Sequence, residues 1–381
     1  MKWFNSLLFF ASLAVTCTAR ISESELRENV AKGLRLVSLE EGVDPVWRTD
    51  DEVLKLIADD VGFFDVTEIY DINDAETLSI QRIADTVAFA APSQDDVVAT
   101  MFADVSQPTM EQYLANLTAF NNRYYRATTG AAASTWIRDT LLAVTRAFPA
   151  SGATVSLVSH SFVQSSIVGV IPGSDRTAPR VILGAHMDSI NNGNPTSGRA
   201  PGADDDGSGT VNVMEAFRVL VTNGFKPVRT VEFHLYAGEE AGLLGSQAIA
   251  RSYKSSGVAV RGMLNLDMTA YIRPGTQTVI GFLPDFTNAA LTTFTGTLVT
   301  RYLPGTRFIT SSACGYGCSD HASWNREGFA SAAALEGDKA NLNSRLHTTS
   351  DLVNVAGFSW PHSIQFTKLA IAFATELGNG A

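Results

Sequence analysis

From Thr109 onward, short apolar runs alternate with amphipathic stretches, and this alternation narrows the folds open to the chain. Residues 181–185 form an unbroken apolar run too short for a buried helix, so they read as a strand covered on both faces. Residues 230–236 alternate like a strand, and 263–266, 278–282 and 330–335 add others, while 155–160 and 166–171 read as a strand pair. Between them, residues 110–120, 131–148, 208–221, 241–253, 286–302 and 364–377 carry helical spacing. In 208–221, for example, Val211, Met214, Phe217 and Val221 fall on one face. Strands separated by helices imply an α/β chain: a three-layer sandwich around a mostly parallel, mixed central sheet. Ligands of such folds gather beyond the carboxyl ends of the strands. There is no internal repeat.

What precedes Thr109 has a different character. Lys2, the apolar residues 7–15 and the small pair Thr18-Ala19 read as a secretory signal over 1–19, cleaved after Ala19. The apolar stretch is too short to read as a membrane span. Residues 20–86 carry 17 acids and 7 bases, so almost all of the net charge of −11 belongs to this segment. Behind a signal it reads as an acidic propeptide, with the main domain over 87–381; the alternative is a small acidic domain that stays attached. The boundary carries no Lys-Arg pair, and residues 88–92 are a candidate linker. Past the signal only Cys314 and Cys318 remain, and a pair in an oxidising compartment reads as a disulfide. The alternative, half a metal site, lacks a second pair to complete it. Asn116-Leu117-Thr118 is an N-glycosylation sequon, which fits export. The nearly neutral remainder has no basic stripe for nucleic acid and no cationic amphipathic face for a membrane. A soluble, exported monomer is expected.

Five polar clusters follow in order: His186-Met187-Asp188, Asp204-Asp205-Asp206-Gly207, Glu239-Glu240, Asp267 and His347. His186, Glu239-Glu240 and Asp267 each follow an apolar run, so three strands would deliver polar groups to one edge of the sheet. Alone, each has a plainer reading. A lone histidine at a strand end is usually structural, and an acidic triplet before a helix is often a turn with a cap. Adjacent glutamates are usually a solvated face. Together the clusters reverse those odds, because three consecutive acids repel unless a cation neutralises some of them. An unpaired buried carboxylate at Asp267 would be costly. Asp188 could hold the far nitrogen of His186 and fix its tautomer. Of Glu239 and Glu240, one could bind metal while the other moves a proton. His160, His234, His321 and His362 lack such a context and read as structural.

The ordered set His-x-Asp, Gly-Ala-Asp-Asp-Asp-x-Ser-Gly, Gly-Glu-Glu-x-Gly, Asn-x-Asp-Met and His-Thr-x-x-Asp resembles that of the secreted fungal two-zinc leucine aminopeptidases, over roughly residues 110–381. The resemblance implies a zinc-dependent exopeptidase, phosphorylase/hydrolase-like architecture and a catalytic peptidase domain over 87–381. It implies two zinc ions per chain: Asp205 bridging both, His186 and Asp267 completing one site, Glu240 and His347 the other. Glu239 would be general base and acid, Met268 and Tyr316 would face the substrate side chain, and the peptide bond Asp205–Asp206 would be cis. The substrates implied are peptides with a free N-terminus, leucine and other apolar residues preferred. Ser319-Asp320-His321 would support the site from behind. The alternatives are another zinc hydrolase of this fold, such as a carboxypeptidase or a glutaminyl cyclase, and a secreted binding module that keeps the frame without catalysis.

Overall fold

Strands apolar on both faces need a layer on each side, and the chain supplies one to each. The computed structural model describes residues 21–40, 43–70 and 88–380. The expected signal and the expected segment boundary near residue 86 lie outside the described residues. In chain order the elements are α1 (Glu23–Ala31), β1 (Arg35–Ser38), β2 (Val46–Arg48), α2 (Asp50–Ala58), β3 (Phe64–Asp65), α3 (Asp95–Ala103), α4 (Gln107–Ala119), α5 (Thr128–Ala147), β4 (Thr154–Val158), β5 (Ser166–Ile171), β6 (Arg180–His186) and α6 (Gly207–Thr222). There follow β7 (Val231–Tyr236), α7 (Leu244–Ser255), β8 (Val260–Leu266), β9 (Val279–Phe282), α8 (Ala289–Tyr302), β10 (Arg307–Thr310), α9 (His321–Arg326), β11 (Ser331–Leu335) and α10 (Trp360–Asn379).

The main sheet has eight strands in the order β10-β9-β11-β8-β6-β7-β5-β4. Its centre is parallel, from β11 through β8 and β6 to β7, while β5 and β4 run antiparallel at one end and β9 is antiparallel to β11. Alternate side chains of one strand enter different cores. Val181, Leu183 and Ala185 of β6 join Phe217 of α6 and Phe366 and Ile371 of α10. Ile182 faces the other way, toward Ile249 of α7 and Trp324 of α9. Each fully buried aliphatic or aromatic side chain contributes on the order of 1.5–3 kcal/mol. These two cores therefore hold the strand ends, and whatever they carry, in register.

The connections make the cleft. From β6 the chain crosses by α6 to β7 on one side; from β7 it crosses by α7, over the opposite face, to β8 on the other side of β6. The direction reverses at β6, which opens a crevice beyond the carboxyl ends of β6, β7 and β8.

The acidic N-terminal segment packs on this body. Its strands form a second sheet, β2-β1-β3, and α2 opens on a capping box between Thr49 and Glu52. Leu36, Phe64 and Val66 share a core with Leu243, Phe286 and Ala322 of the main domain. The Asp65 amide donates to the Gly242 carbonyl at 3.2 Å. Asn116 lies on α4, half-buried, its Nδ2 donating to the Gln112 carbonyl at 2.8 Å. Cys314 and Cys318 are joined in a disulfide. No helix among the described residues is long and apolar enough to cross a membrane.

Candidate metal centre

Four elements and one loop converge at the crevice. His186 is the last residue of β6, Glu239 and Glu240 follow β7, Asp267 follows β8, and Asp205 precedes the N-terminus of α6. His347 arrives from the loop between β11 and α10. Nε2 of His186 lies 3.2 Å from Oδ1 of Asp205 and 3.6 Å from Oδ1 of Asp267. Nε2 of His347 lies 3.0 Å from Oδ2 of Asp205 and 2.9 Å from Oε2 of Glu240. The two oxygens of Asp205 thus face different imidazoles, and the five side chains fall into two triads that share it. Within each triad the candidate ligand atoms all lie within 4.8 Å of one another.

The donor set fits zinc, which takes imidazole nitrogen and carboxylate oxygen. Glu240 Oε1 and Asp267 Oδ1 are buried with no hydrogen-bond partner. Buried acceptors left unmatched are costly, and a divalent cation is the partner that suits them. Burial pushes the Asp205 carboxyl up, but hydrogen bonds from His186 and His347 outweigh it and hold the group well below the usual range. Glu240 is pushed up to about 7 by burial, against the pull of His347. Burial raises Glu239 well above the usual carboxylate range; His186 opposes the shift, and the carboxylates of Glu240, Asp320 and Asp267 add to it.

The acidic triplet divides its labour, and the roles of its outer two members are visible only in the structure. Asp206 caps α6 by accepting from the Gly209 amide at 2.9 Å, and it also accepts from the amides of Met268 and His186 at 3.1 and 3.2 Å. It ties together the ends of β6 and β8. Asp204 accepts from the Ala270 amide at 3.0 Å and from Asn343 Nδ2 at 3.1 Å. Only the middle acid is turned into the crevice. The peptide bond Asp205–Asp206 is cis, as the resemblance implies.

Asp188 lies behind the cluster, with Oδ1 3.5 Å from His186 Nδ1. It accepts from the amides of Glu239 and Glu240 at 3.0 and 3.2 Å, so it holds the backbone of the glutamate pair. Sequence reading missed three further supports. The guanidinium of Arg123, fully buried, donates to the carbonyls of Met187, Pro201 and Gly202 and clasps the two loops that carry Asp188 and Asp205. Asp351, the acid of the His-Thr-x-x-Asp motif, accepts from the amides of Asp204 and Asp205; burial pushes it up to about 8, and Asp204 adds to the shift. Asp60, from the acidic segment, reaches Nδ1 of His347 at 3.1 Å. Of these, only Asp351 sits in a motif; Arg123 and Asp60 have no local signal.

The cleft above the cluster has a volume of about 390 Å³. Met268, Tyr316 and the Cys314–Cys318 loop line it, and so do Asp60, Val61, Gly62 and Phe63 of the acidic segment. Four of the five non-glycine residues with left-handed φ among the described residues line this cleft: Asp60, Leu243, Met268 and His347. Such conformations cost energy and concentrate at sites the surrounding structure holds for use. Ser319 accepts from Asn265 Nδ2 at 2.8 Å, while Asp320 and His321 are wholly buried behind the cleft floor.

A mixed α/β sheet with two candidate ligand triads sharing one carboxylate at its switch point points to a class of protein, the zinc-dependent exopeptidases. The chain belongs to peptidase family M28, whose family model matches residues 166–374, and it is a zinc-dependent aminopeptidase. It is 40% identical over 384 residues to leucine aminopeptidase 1 of Trichophyton equinum, covering 97% of this chain and 99% of that protein. It is 41% identical over 349 residues to leucine aminopeptidase 1 of Arthroderma otae, covering 87% and 89%. The crystal structure of the Legionella pneumophila LapA aminopeptidase superposes with a TM-score of 0.78 at 29% identity, covering 93% of this chain and 96% of that one.

Proposed function

We propose that the chain is an extracellular aminopeptidase that removes leucine and other apolar residues from peptide N-termini with two zinc ions. The observation that carries the reading is the pair of triads built on the two oxygens of Asp205. His186 and Asp267 would hold one ion, Glu240 and His347 the other, with Asp205 between them. Bound there, the ions supply Lewis-acid polarisation of a peptide carbonyl and make a water acidic enough to lose its proton near neutrality.

The rest is the work of the chain's own groups. Glu239 accepts the proton of the attacking water and passes it to the leaving nitrogen. Asp188 holds the Glu239 and Glu240 amides, so the proton carrier and its neighbouring ligand move as one unit. The substrate's free α-amine, a cation, is drawn to the carboxylates that line the cleft floor, and this anchor limits cleavage to the first peptide bond. Met268, Tyr316 and Leu283 offer an apolar recess for the first side chain.

The acidic segment 20–86 is read as a propeptide behind a signal over 1–19, and Asn116 as a glycosylation site of the exported chain. Support for the first comes from Asp60 to Phe63, which line the cleft beside the proposed ligands. The deciding test is zinc content and leucine-p-nitroanilide hydrolysis on one purified sample, before and after chelation. About two zinc per chain, with activity lost on chelation and restored by zinc, is the expected result. One zinc without hydrolysis would favour a cyclase-like chemistry, and no bound metal would overturn the reading.

A further inference from the structure

We propose that His347 is served by two interchangeable outer acceptors, Asp60 from the N-terminal segment and Asn192 from the main domain. Metal affinity on the Glu240–His347 side then survives loss of either one but not of both. The inference rests on the proposed role of His347 as a ligand through Nε2.

A histidine that gives Nε2 to a metal carries its proton on Nδ1, and that N–H needs an acceptor to fix the ring. Nε2 of His347 is the nitrogen turned toward Asp205 and Glu240. Nδ1 points away from the cluster, to Asp60 Oδ1 at 3.1 Å. The same carboxylate oxygen accepts from Asn192 Nδ2 at 3.3 Å. Asn192 Nδ2 is also 3.4 Å from His347 Nδ1. With Nδ1 protonated, that close pair is two donors facing each other, which Asp60 resolves by accepting from both.

The other end of the carboxamide is free to respond. Asn192 Oδ1 is buried and has no hydrogen-bond partner. A half-turn of the amide group exchanges its oxygen and nitrogen at almost no change of shape. It would place Oδ1 against the Nδ1–H of His347, at the cost of the bond to Asp60. Both residues are held where this exchange can happen. The Asn192 amide donates to the His347 carbonyl at 3.0 Å, so the two backbones are tied whatever the side chains do. Asp60 sits at φ 56°, in the left-handed region, at the end of the turn after α2. Its side chain is about two-thirds exposed, at 69%, so it can leave without opening a core. While the segment is docked, the asparagine is a donor to Asp60; once the segment is gone, it becomes the acceptor for His347.

The test is a double-mutant cycle on the full-length zinc-loaded chain. Asp60→Gly removes the carboxylate and suits the left-handed backbone. Asn192→Ala removes the reserve acceptor, and both are combined. Stepwise zinc release to a competing chelator reads the two sites separately. Each single variant should keep two zinc ions with affinities within about threefold of the parent. The double variant should lose about 10–100-fold at one site only, the range for removing an outer partner of a metal-binding histidine. Asn192→Asp in the Asp60→Gly background should keep that site tight. A full loss in Asp60→Gly alone, or a double variant no weaker than the product of the singles, would overturn the exchange. A parent chain that binds no zinc at all would overturn the metal reading itself, and this inference with it; failure confined to the variants would spare that reading.

Discussion

Asp188→Asn separates two jobs that one buried carboxylate performs. Oδ1 accepts from the Glu239 amide at 3.0 Å and lies 3.5 Å from His186 Nδ1, while Oδ2 accepts from the Glu240 amide at 3.2 Å. The residue is 1% exposed, so water cannot replace a lost partner. Asparagine keeps the volume but turns one oxygen into a donor. If the NH₂ replaces Oδ1, it faces the Glu239 amide and takes from His186 Nδ1 the carboxylate oxygen nearest to it. If it replaces Oδ2, it faces the amide of Glu240, a proposed ligand. Either way at least one buried backbone N–H is left unmatched, a cost of about 1–3 kcal/mol in stability. Losing the carboxylate behind His186 should cost about 10–100-fold in zinc affinity, or about 1.4–2.7 kcal/mol. Urea unfolding of metal-free protein reads the first cost and zinc competition the second. A variant with the parent's unfolding midpoint and the parent's zinc affinity would refute the whole account of Asp188. Weakened folding with unchanged affinity would refute only its service to His186.

Glu239→Ala should keep its zinc and lose about 100- to 10,000-fold in kcat, the range for removing a positioned proton carrier; near-parent turnover would remove Glu239 from the chemistry. Met268→Ala should narrow the preference for leucyl over alanyl substrates by about tenfold or more in kcat/KM, and an unchanged ratio would take Met268 out of the pocket. A β-carbon on Gly62 would overlap the Tyr316 ring, so Gly62→Leu should lift the acidic segment off the cleft and raise hydrolysis by the full-length chain. An equal rate would show that the segment does not obstruct the site. Away from the cleft, buried Glu232 meets Arg180, His234 and Tyr253. Burial pushes its pKa up, but the bonds from His234 and Tyr253 and the charges of His234 and Arg180 outweigh that and lower it. A depressed carboxylate contributes stability above its unfolded value, 4.5, and that contribution is lost as pH falls through the folded value. Glu232→Gln should therefore cost about 1–3 kcal/mol at pH 7, and urea midpoints of parent and variant should converge below pH 4.5; a constant gap would refute the linkage.

What could be read from the sequence was whatever local pattern encodes. The apolar run 181–185 is a strand because covered strands are continuous in apolar residues, and the structure extends it by one residue at each end, to His186. The helical spacing of Val211, Met214, Phe217 and Val221 likewise returned α6. Because ligands gather at strand ends, His186, the glutamate pair and Asp267 were legible as one site before any contact was known. Elements of weak period escaped: β10 is a four-residue, mostly exposed edge strand, α9 is a helix of six residues, and β1 to β3 are short strands in an acidic stretch.

Tertiary structure alone shows where each carboxylate of the triplet is held. Asp204, Asp205 and Asp206 are chemically identical neighbours, and the cap on Gly209 and the contacts to Met268 and Ala270 hold the outer two away while the middle one faces the crevice. Arg123 became a clasp because α4 and α5 bring it between two loops more than sixty residues away. Asp60 and His347, separated by 287 positions, meet because the acidic segment docks over the cleft. Backbone periodicity is a property of neighbours along the chain, so composition and spacing carry it. The partner of a buried polar group is set by how distant elements pack, and nothing local to either residue records it.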